Sequence, residues 1–246
     1  DYHPYDVRIS GETEVNAHNI ERIEANCQGK TTIRFVTMGD SQRWYDETED
    51  FVKEINKRND IDFVIHGGDM SDFGLTKEFL WQRDIMNGLN VPYVVLIGNH
   101  DCLGTGAETY KAVFGPTNFS FIAGNVKFVC LNTNALEYDY SEPVPNFTFM
   151  EQEITSRLDE FEKTVISMHA RPYTDVFNDN VAKVFQHYIR QYPGIQVCTA
   201  AHTHHYQDDV IFDDGIHYVT SDCMDYRTYL VFTITPEKYE YELVKY

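Results

Sequence analysis

From about residue 33 the chain alternates short apolar runs with longer amphipathic stretches. "TIRFVTMGD" is rich in β-branched and aromatic residues, and "DETEDFVKEINKR" follows with Thr48, Phe51, Val52 and Ile55 on one helical face. "IDFVIHGGD" predicts a second strand, "TKEFLWQRDIMNGL" a second helix and "VPYVVLIGNHD" a third strand. Alternation at this spacing predicts parallel strands joined by right-handed crossovers.

After "YKAVFGP" the pattern changes. "NFSFIAG" and "NVKFVCLNTN" predict a hairpin turning at Gly124-Asn125. "MEQEITSRLDEFEK" reads as a helix leading to the strand "TVISMHARP". "VAKVFQHYIRQY" places Val181, Val184, Phe185, Tyr188, Ile189 and Tyr192 on one helical face and feeds the strand "IQVCTAAHTHH". The tail, "IHYVTSD" and "RTYLVFTITPEKYEYELVKY", turns at Pro236-Glu237 and predicts a closing set of antiparallel strands. Residues 1–30 are polar and mixed, with a helix-like "NAHNIERIEANCQ", and read as an N-terminal arm to a single domain over 31–246. These elements suggest two sheets packed together with helices outside.

Composition narrows the partners. No apolar segment approaches the ~20 residues of a membrane span, so no transmembrane segment is expected. The formal charge of −19 shows no basic groove and argues against nucleic acid as the main partner. A small anionic substrate stays compatible, because bound cations invert the local potential. The five cysteines include no CxxC pair. Cys130 and Cys198 lie in strand-like runs and read as buried, while Cys102, beside "GNHD", is a reactive-thiol candidate without the partner pattern of a nucleophile. A first residue that is not Met, with a Tyr/Asn-rich composition, leads to the expectation of an exported protein, periplasmic or envelope-associated, whose signal has been removed, with a chain trimmed at its start and a cytoplasmic location as the alternatives. "NFS" at Asn118 and "NFT" at Asn146 match the glycosylation triplet but are short enough to arise by chance.

The chemistry gathers where strands run out. Those positions hold Asp40 and Gln42, Asp69 and Asp72, Asn99, His100 and Asp101, then His169, and finally His202 and His204. Sites in open α/β sheets assemble at the carboxyl ends of strands. Singly, "GGDMSD" and "GNHD" read as tight turns and "HTHH" as a surface cluster. Five successive strands delivering metal-capable groups make that reading untenable for the set.

In this order, D-x-(H), GDxxD, GNHD, a lone His and a GHxH-like "AHTH" resemble the calcineurin-like metallophosphoesterases from about residue 33 to about 206. The resemblance implies a four-layer α/β/β/α sandwich of two mixed sheets flanked by helices. It also implies two divalent or trivalent metal ions, with N/O ligation suiting Mn, Fe or Zn. Asp40 and His204 would hold one metal, with Gln42 at the family's second ligand position. Asp69 would bridge both, and Asn99, His169 and His202 would complete the second. A metal-bound hydroxide would attack a phosphate mono- or diester. His100 would sit over the leaving oxygen as general acid or charge stabiliser, oriented by Asp72.

Arg43, Arg171 and Tyr173 flank these positions and are candidate contacts to a small phosphorylated substrate. Asn132 and Asn134 end a strand beside the cleft, and His205 is expected to face away from it. Two positions depart from the family pattern: Ala201 replaces a glycine, and Gln42 replaces a histidine. The rival readings are a non-catalytic metal- or phosphate-binding protein on the same scaffold and an amidohydrolase. The latter lacks its early HxH here. Oligomeric state is not legible in the chain.

Overall fold

The computed structural model describes residues 2–135 and 142–246. Helix α1 (Val15–Cys27) precedes β1 (Ile33–Met38), α2 (Tyr45–Asn56), β2 (Phe63–His66), α3 (Thr76–Met86) and β3 (Tyr93–Val95). The three strands pair in parallel, as their helical crossovers require. Next come α4 (Gly106–Val113), the hairpin β4 (Phe119–Ala123) and β5 (Val126–Leu131), α5 (Phe147–Thr155) and β6 (Lys163–Met168). Then follow α6 (Ala182–Ile189), β7 (Ile195–Ala200), β8 (Gln207–Asp209), β9 (Tyr218–Thr220), β10 (Thr228–Ile234) and β11 (Tyr239–Lys245).

One sheet has the order β11-β10-β1-β2-β3 and the other β4-β5-β6-β7-β9-β8. Both are mixed: β10 runs antiparallel to β1 and β4 antiparallel to β5, while β5, β6 and β7 are parallel. The period-2 alternation of side chains assigns the layers. Phe35, Phe63, Ile65 and Phe232 of the first sheet face Phe121, Phe128, Val165 and Val197 of the second. Phe35 stacks on Phe63 and Phe232 and meets the edge of Phe128 at a centroid distance of 4.9 Å. The opposite faces carry Val36 and Val64 against Phe51 and Phe79 of α2 and α3, and Ile166 and Cys198 against Phe185 and Ile189 of α6. Four layers result, helix–sheet–sheet–helix, as expected. Helix α1 buries Val15 in the first helix layer and Ile23 and Cys27 between the sheets.

Four local readings change. Helix α5 starts earlier than expected, because Asn146 caps it by accepting from the Phe149 N–H at 3.0 Å. It also ends earlier: Arg157 is left-handed, and the buried Lys127 ammonium binds the carbonyls of Glu153 and Ser156. Val184 faces solvent, so the buried stripe of α6 is Ala182, Phe185, Gln186 and Ile189. In the tail, β10 and β11 are antiparallel as expected, but β9 joins the other sheet parallel to β7, with β8 as its edge partner.

Candidate metal centre

The loops after β1, β2, β3, β6 and β7 converge at one end of the two sheets. Their backbone is bent to do so: among the described residues, Asp40, Gln42, Asp69, His202 and His204 all have positive φ. Left-handed conformations at non-glycine residues cost energy and concentrate where a site must be shaped. Glycines allow the closest approach. A Cβ on Gly98 would lie 2.1 Å from Asp69 Oδ1, and one on Gly68 would lie 2.8 Å from His169 Nδ1. The Ala201 methyl lies within 3.1 Å of where Cβ atoms on Gly39 and Gly67 would stand, so it fills their space rather than disturbing the turn.

Two ligand groups form around one shared carboxylate. Asp69, His169 and His202 make one; Asp40, Asp69 and His204 make the other. In the first, His169 Nδ1 donates to the Gly67 carbonyl at 2.8 Å, which turns Nε2 toward Asp69 Oδ2 (3.3 Å) and Asn99 Oδ1 (3.0 Å). His202 Nδ1 also lies 3.0 Å from Asn99 Oδ1. In the second, His204 Nε2 is 3.4 Å from Asp40 Oδ1, and Asp40 Oδ2 accepts from the His202 N–H at 2.9 Å. The Trp44 ring meets the edge of His204. The Gln42 amide donates from Nε2 to Asp69 Oδ2 at 3.3 Å.

These donors fit a pair of cations. Gln42 Oε1 is buried without a hydrogen-bond partner, and buried Asp40 Oδ1 makes no hydrogen bond and has only the His204 imidazole, 3.4 Å away, beside it. Such orphans are costly unless something positive satisfies them. The first group brings Asp69 Oδ2, Asn99 Oδ1 and two imidazole nitrogens together, all lone-pair atoms in their deprotonated forms, which only protons or a metal reconcile. Without metal the charges respond accordingly. Burial works against the Asp69 charge, but the adjacent His169 outweighs it and lowers its pKa. Burial likewise depresses His169, yet Asp69 beside it prevails and raises the pKa to about 9. His202 is lowered by burial and by the charge of His169, while the Asp40 carboxylate raises His204.

The remaining candidates are placed as follows. His100 N–H donates to Asp69 Oδ1 at 2.9 Å, which brings the ring to the site edge. Its Nδ1 donates to the Asp72 carbonyl at 2.7 Å, whereas the Asp72 carboxylate is 3.8 Å away. That carboxylate instead takes a 2.6 Å bond from Arg43, so Asp72 orients His100 through its backbone. Arg171 turns its guanidinium to Asp209 and Gln207 of β8. Tyr173 is an exposed rim residue resting near Phe212. Asn134 bonds the Ile97 carbonyl and Asn132, bracing the end of β3. His205 packs on Tyr226. Cys102 is buried, with its thiol toward the Gly98 carbonyl, so no reactive thiol faces the site.

Two contributors have roles that the sequence does not reveal. Asp175, six residues after His169, accepts from His202 Nε2 at 2.6 Å, as a carboxylate does when it orients a metal-binding imidazole. Asp101, noticed only as part of "GNHD", is fully buried and accepts from the Asp69, Ser71 and Gly98 N–H groups at 2.8–2.9 Å. It locks the β2 and β3 loops together.

Among solved structures, a dimetal phosphatase from Danio rerio is similar, with a TM-score of 0.67 at 12% identity, over 88% of this chain and 98% of that one. GAP50, the anchor in the inner membrane complex of Plasmodium, gives 0.65 at 11% identity, over 88% and 85%. The calcineurin-like phosphoesterase YfkN from Bacillus subtilis gives 0.52 at 12% identity, over 87% and 91%. At these identities the likeness shows a shared fold. No curated protein sequence matches the chain. The model of the calcineurin-like phosphoesterases matches residues 33–206, the span that carries every ligand position described above. The chain belongs to the calcineurin-like phosphoesterase family, and at that level it is a metal-dependent phosphoesterase.

Proposed function

We propose that the protein hydrolyses a small phosphate mono- or diester at a two-metal centre. The observation that carries this reading is Asp69, the one carboxylate common to both ligand groups. Asp40, Gln42, Asp69 and His204 would hold one ion, and Asp69, Asn99, His169 and His202 the other. Bound there, two cations supply positive charge for the phosphoryl oxygens and acidity for a coordinated water.

The chain's own residues do the rest. The Gly67 carbonyl fixes the tautomer of His169, and Asp175 fixes that of His202, so each presents a defined nitrogen inward. With its Nδ1–H donated in a hydrogen bond to the Asp72 carbonyl, His100 keeps Nε2 free to carry a proton toward the leaving oxygen. Arg43 neutralises Asp72 and so prevents that carboxylate from repelling phosphate. The burial of Asp40 and Asp69 strengthens every charge interaction inside the site.

Gln42 favours one alternative, a non-catalytic metal- or phosphate-binding protein. Its amide, as placed, donates to Asp69 rather than offering oxygen to a metal. Hydrolysis of p-nitrophenyl phosphate and its bis-ester with added Mn²⁺ separates the two. The hydrolase reading expects turnover, reduced by roughly 10²–10⁴ in His100→Ala. Metal bound without turnover of either ester would establish the binding protein instead.

A further inference from the structure

Among the described residues, the arginines that neighbour the candidate ligands or the exposed aromatic residues in the chain are already paired with carboxylates. Arg43 is neutralised by Asp72 at 2.6 Å and Arg171 by Asp209 at 2.9 Å. Arg227, beside Tyr226, is held by Asp50 at 2.7 Å. Against this, Asp175 stands at the site with a side chain 83% exposed, while its Oδ1 is 2.6 Å from His202 Nε2.

Asp175 is held firmly enough to matter. The Thr174 hydroxyl donates to the Arg171 carbonyl at 2.8 Å, and the Phe177 N–H to the Thr174 carbonyl at 3.1 Å. The Ala135 N–H binds the Val176 carbonyl, and Val176 and Phe177, which follow Asp175, are both buried. An ionised carboxylate in this position subtracts from the positive charge that a metal pair leaves for phosphate. Repulsion between like charges at such a range is appreciable near a protein surface and grows with each further charge on the ligand.

The uncharged rim points the same way. Phe73, next to Asp72, is 57% exposed; Tyr173, on the Asp175 loop, is 49% exposed; Tyr226 is 46% exposed. Tyr226 belongs to the segment whose Cys223 and Met224 N–H groups bond the carbonyls of His204 and Asp40. Exposed aromatic residues therefore lie next in the chain to Asp72, which binds His100, and close to Asp175, which binds His202. A phosphomonoester presents one organic substituent and a doubly charged phosphoryl group. A diester presents two substituents and a single charge, which matches apolar rims around a modestly positive centre.

Resting on the phosphoesterase reading, we propose that this site selects phosphodiesters over phosphomonoesters and that Asp175 is the residue that sets this charge limit. The test uses metal-loaded full-length protein, wild type and Asp175→Asn, which keeps an acceptor oxygen for His202 and removes only the charge. Metal content is measured for both. Hydrolysis of bis-p-nitrophenyl phosphate and p-nitrophenyl phosphate is compared. Binding of dimethyl phosphate and inorganic phosphate is followed by calorimetry.

Wild type is expected to favour the diester in kcat/KM. Asp175→Asn is expected to shift that ratio toward the monoester, and relative binding toward inorganic phosphate, by roughly threefold to tenfold. A wild-type preference for the monoester overturns the proposal, as does an unmoved ratio at equal metal content. If metal-loaded wild type hydrolyses neither ester, the phosphoesterase reading fails. The calorimetric ratio then decides the charge limit alone: a shift in Asp175→Asn upholds it, and identical ratios overturn it. Loss of metal in Asp175→Asn would show that the residue serves metal binding and would overturn its assignment as the charge limit.

Discussion

Gln42 carries the chemistry that most distinguishes this centre. Its Oε1 is buried and unsatisfied, and its Nε2 touches the shared carboxylate, so a half-turn of the amide would present oxygen to the place now held by nitrogen. Gln42→His should raise Mn²⁺ or Zn²⁺ affinity by about tenfold or more, because imidazole is the stronger donor for such ions. Titration calorimetry reads this directly, and unchanged affinity would remove Gln42 from the ligand set. His169 gives a second expectation at this scale. In the metal-free protein its pKa is raised to about 9, from an ordinary value of about 6.5. The stability that the His169–Asp69 pair contributes is therefore fully present below about 6.5 and lost as pH rises through about 9. The urea midpoint of metal-free protein should fall between pH 6.5 and 9.5; a midpoint that rises would show His169 neutral in the folded state. That these candidate residues would gather at one place was legible because each follows an apolar run. Asp175 was not, since its contact with His202 depends on the path of a loop, which periodicity does not describe.

At the scale of elements, the site is a set of strand-end loops held in register by groups that are not ligands. Asp101 satisfies three backbone N–H groups and the Ser71 hydroxyl across two loops. Asp101→Ala would leave those donors buried and unpaired, at a cost of about 3–5 kcal/mol. Chemical denaturation checks this, and a loss below about 1 kcal/mol would mean that the β2 and β3 loops are held by something else. The parallel strands β1 to β3 and the hairpin at Gly124-Asn125 could be read from pattern, because their turns carry glycine and their faces alternate. The limits of α5 could not, because its end is imposed by Lys127, distant in sequence. Strand β8 has a polar sequence, "QDD", and exists through pairing with β9 alone.

For the whole molecule, the packing of two sheets through Phe35, Phe63, Phe121 and Phe128 brings the loops of both onto a common centre. Asp40 and Asp69 come from one sheet, His169, His202 and His204 from the other, so the candidate ligand groups form only when the layers are docked. A formal charge of −19 across the chain makes bound cations the natural source of positive potential for a phosphate ligand. The four layers were legible in the alternation of the sequence together with its family resemblance, whereas the division of the C-terminal strands between the two sheets was not. The central claim is that Asp69 joins two metal sites. The most direct measurement is anomalous scattering from crystals grown with Mn²⁺. The account predicts two peaks per chain, both coordinated by Asp69, with Asn99, His169 and His202 around one and Asp40 and His204 around the other. Peaks that do not share Asp69, or none at these residues, would contradict it.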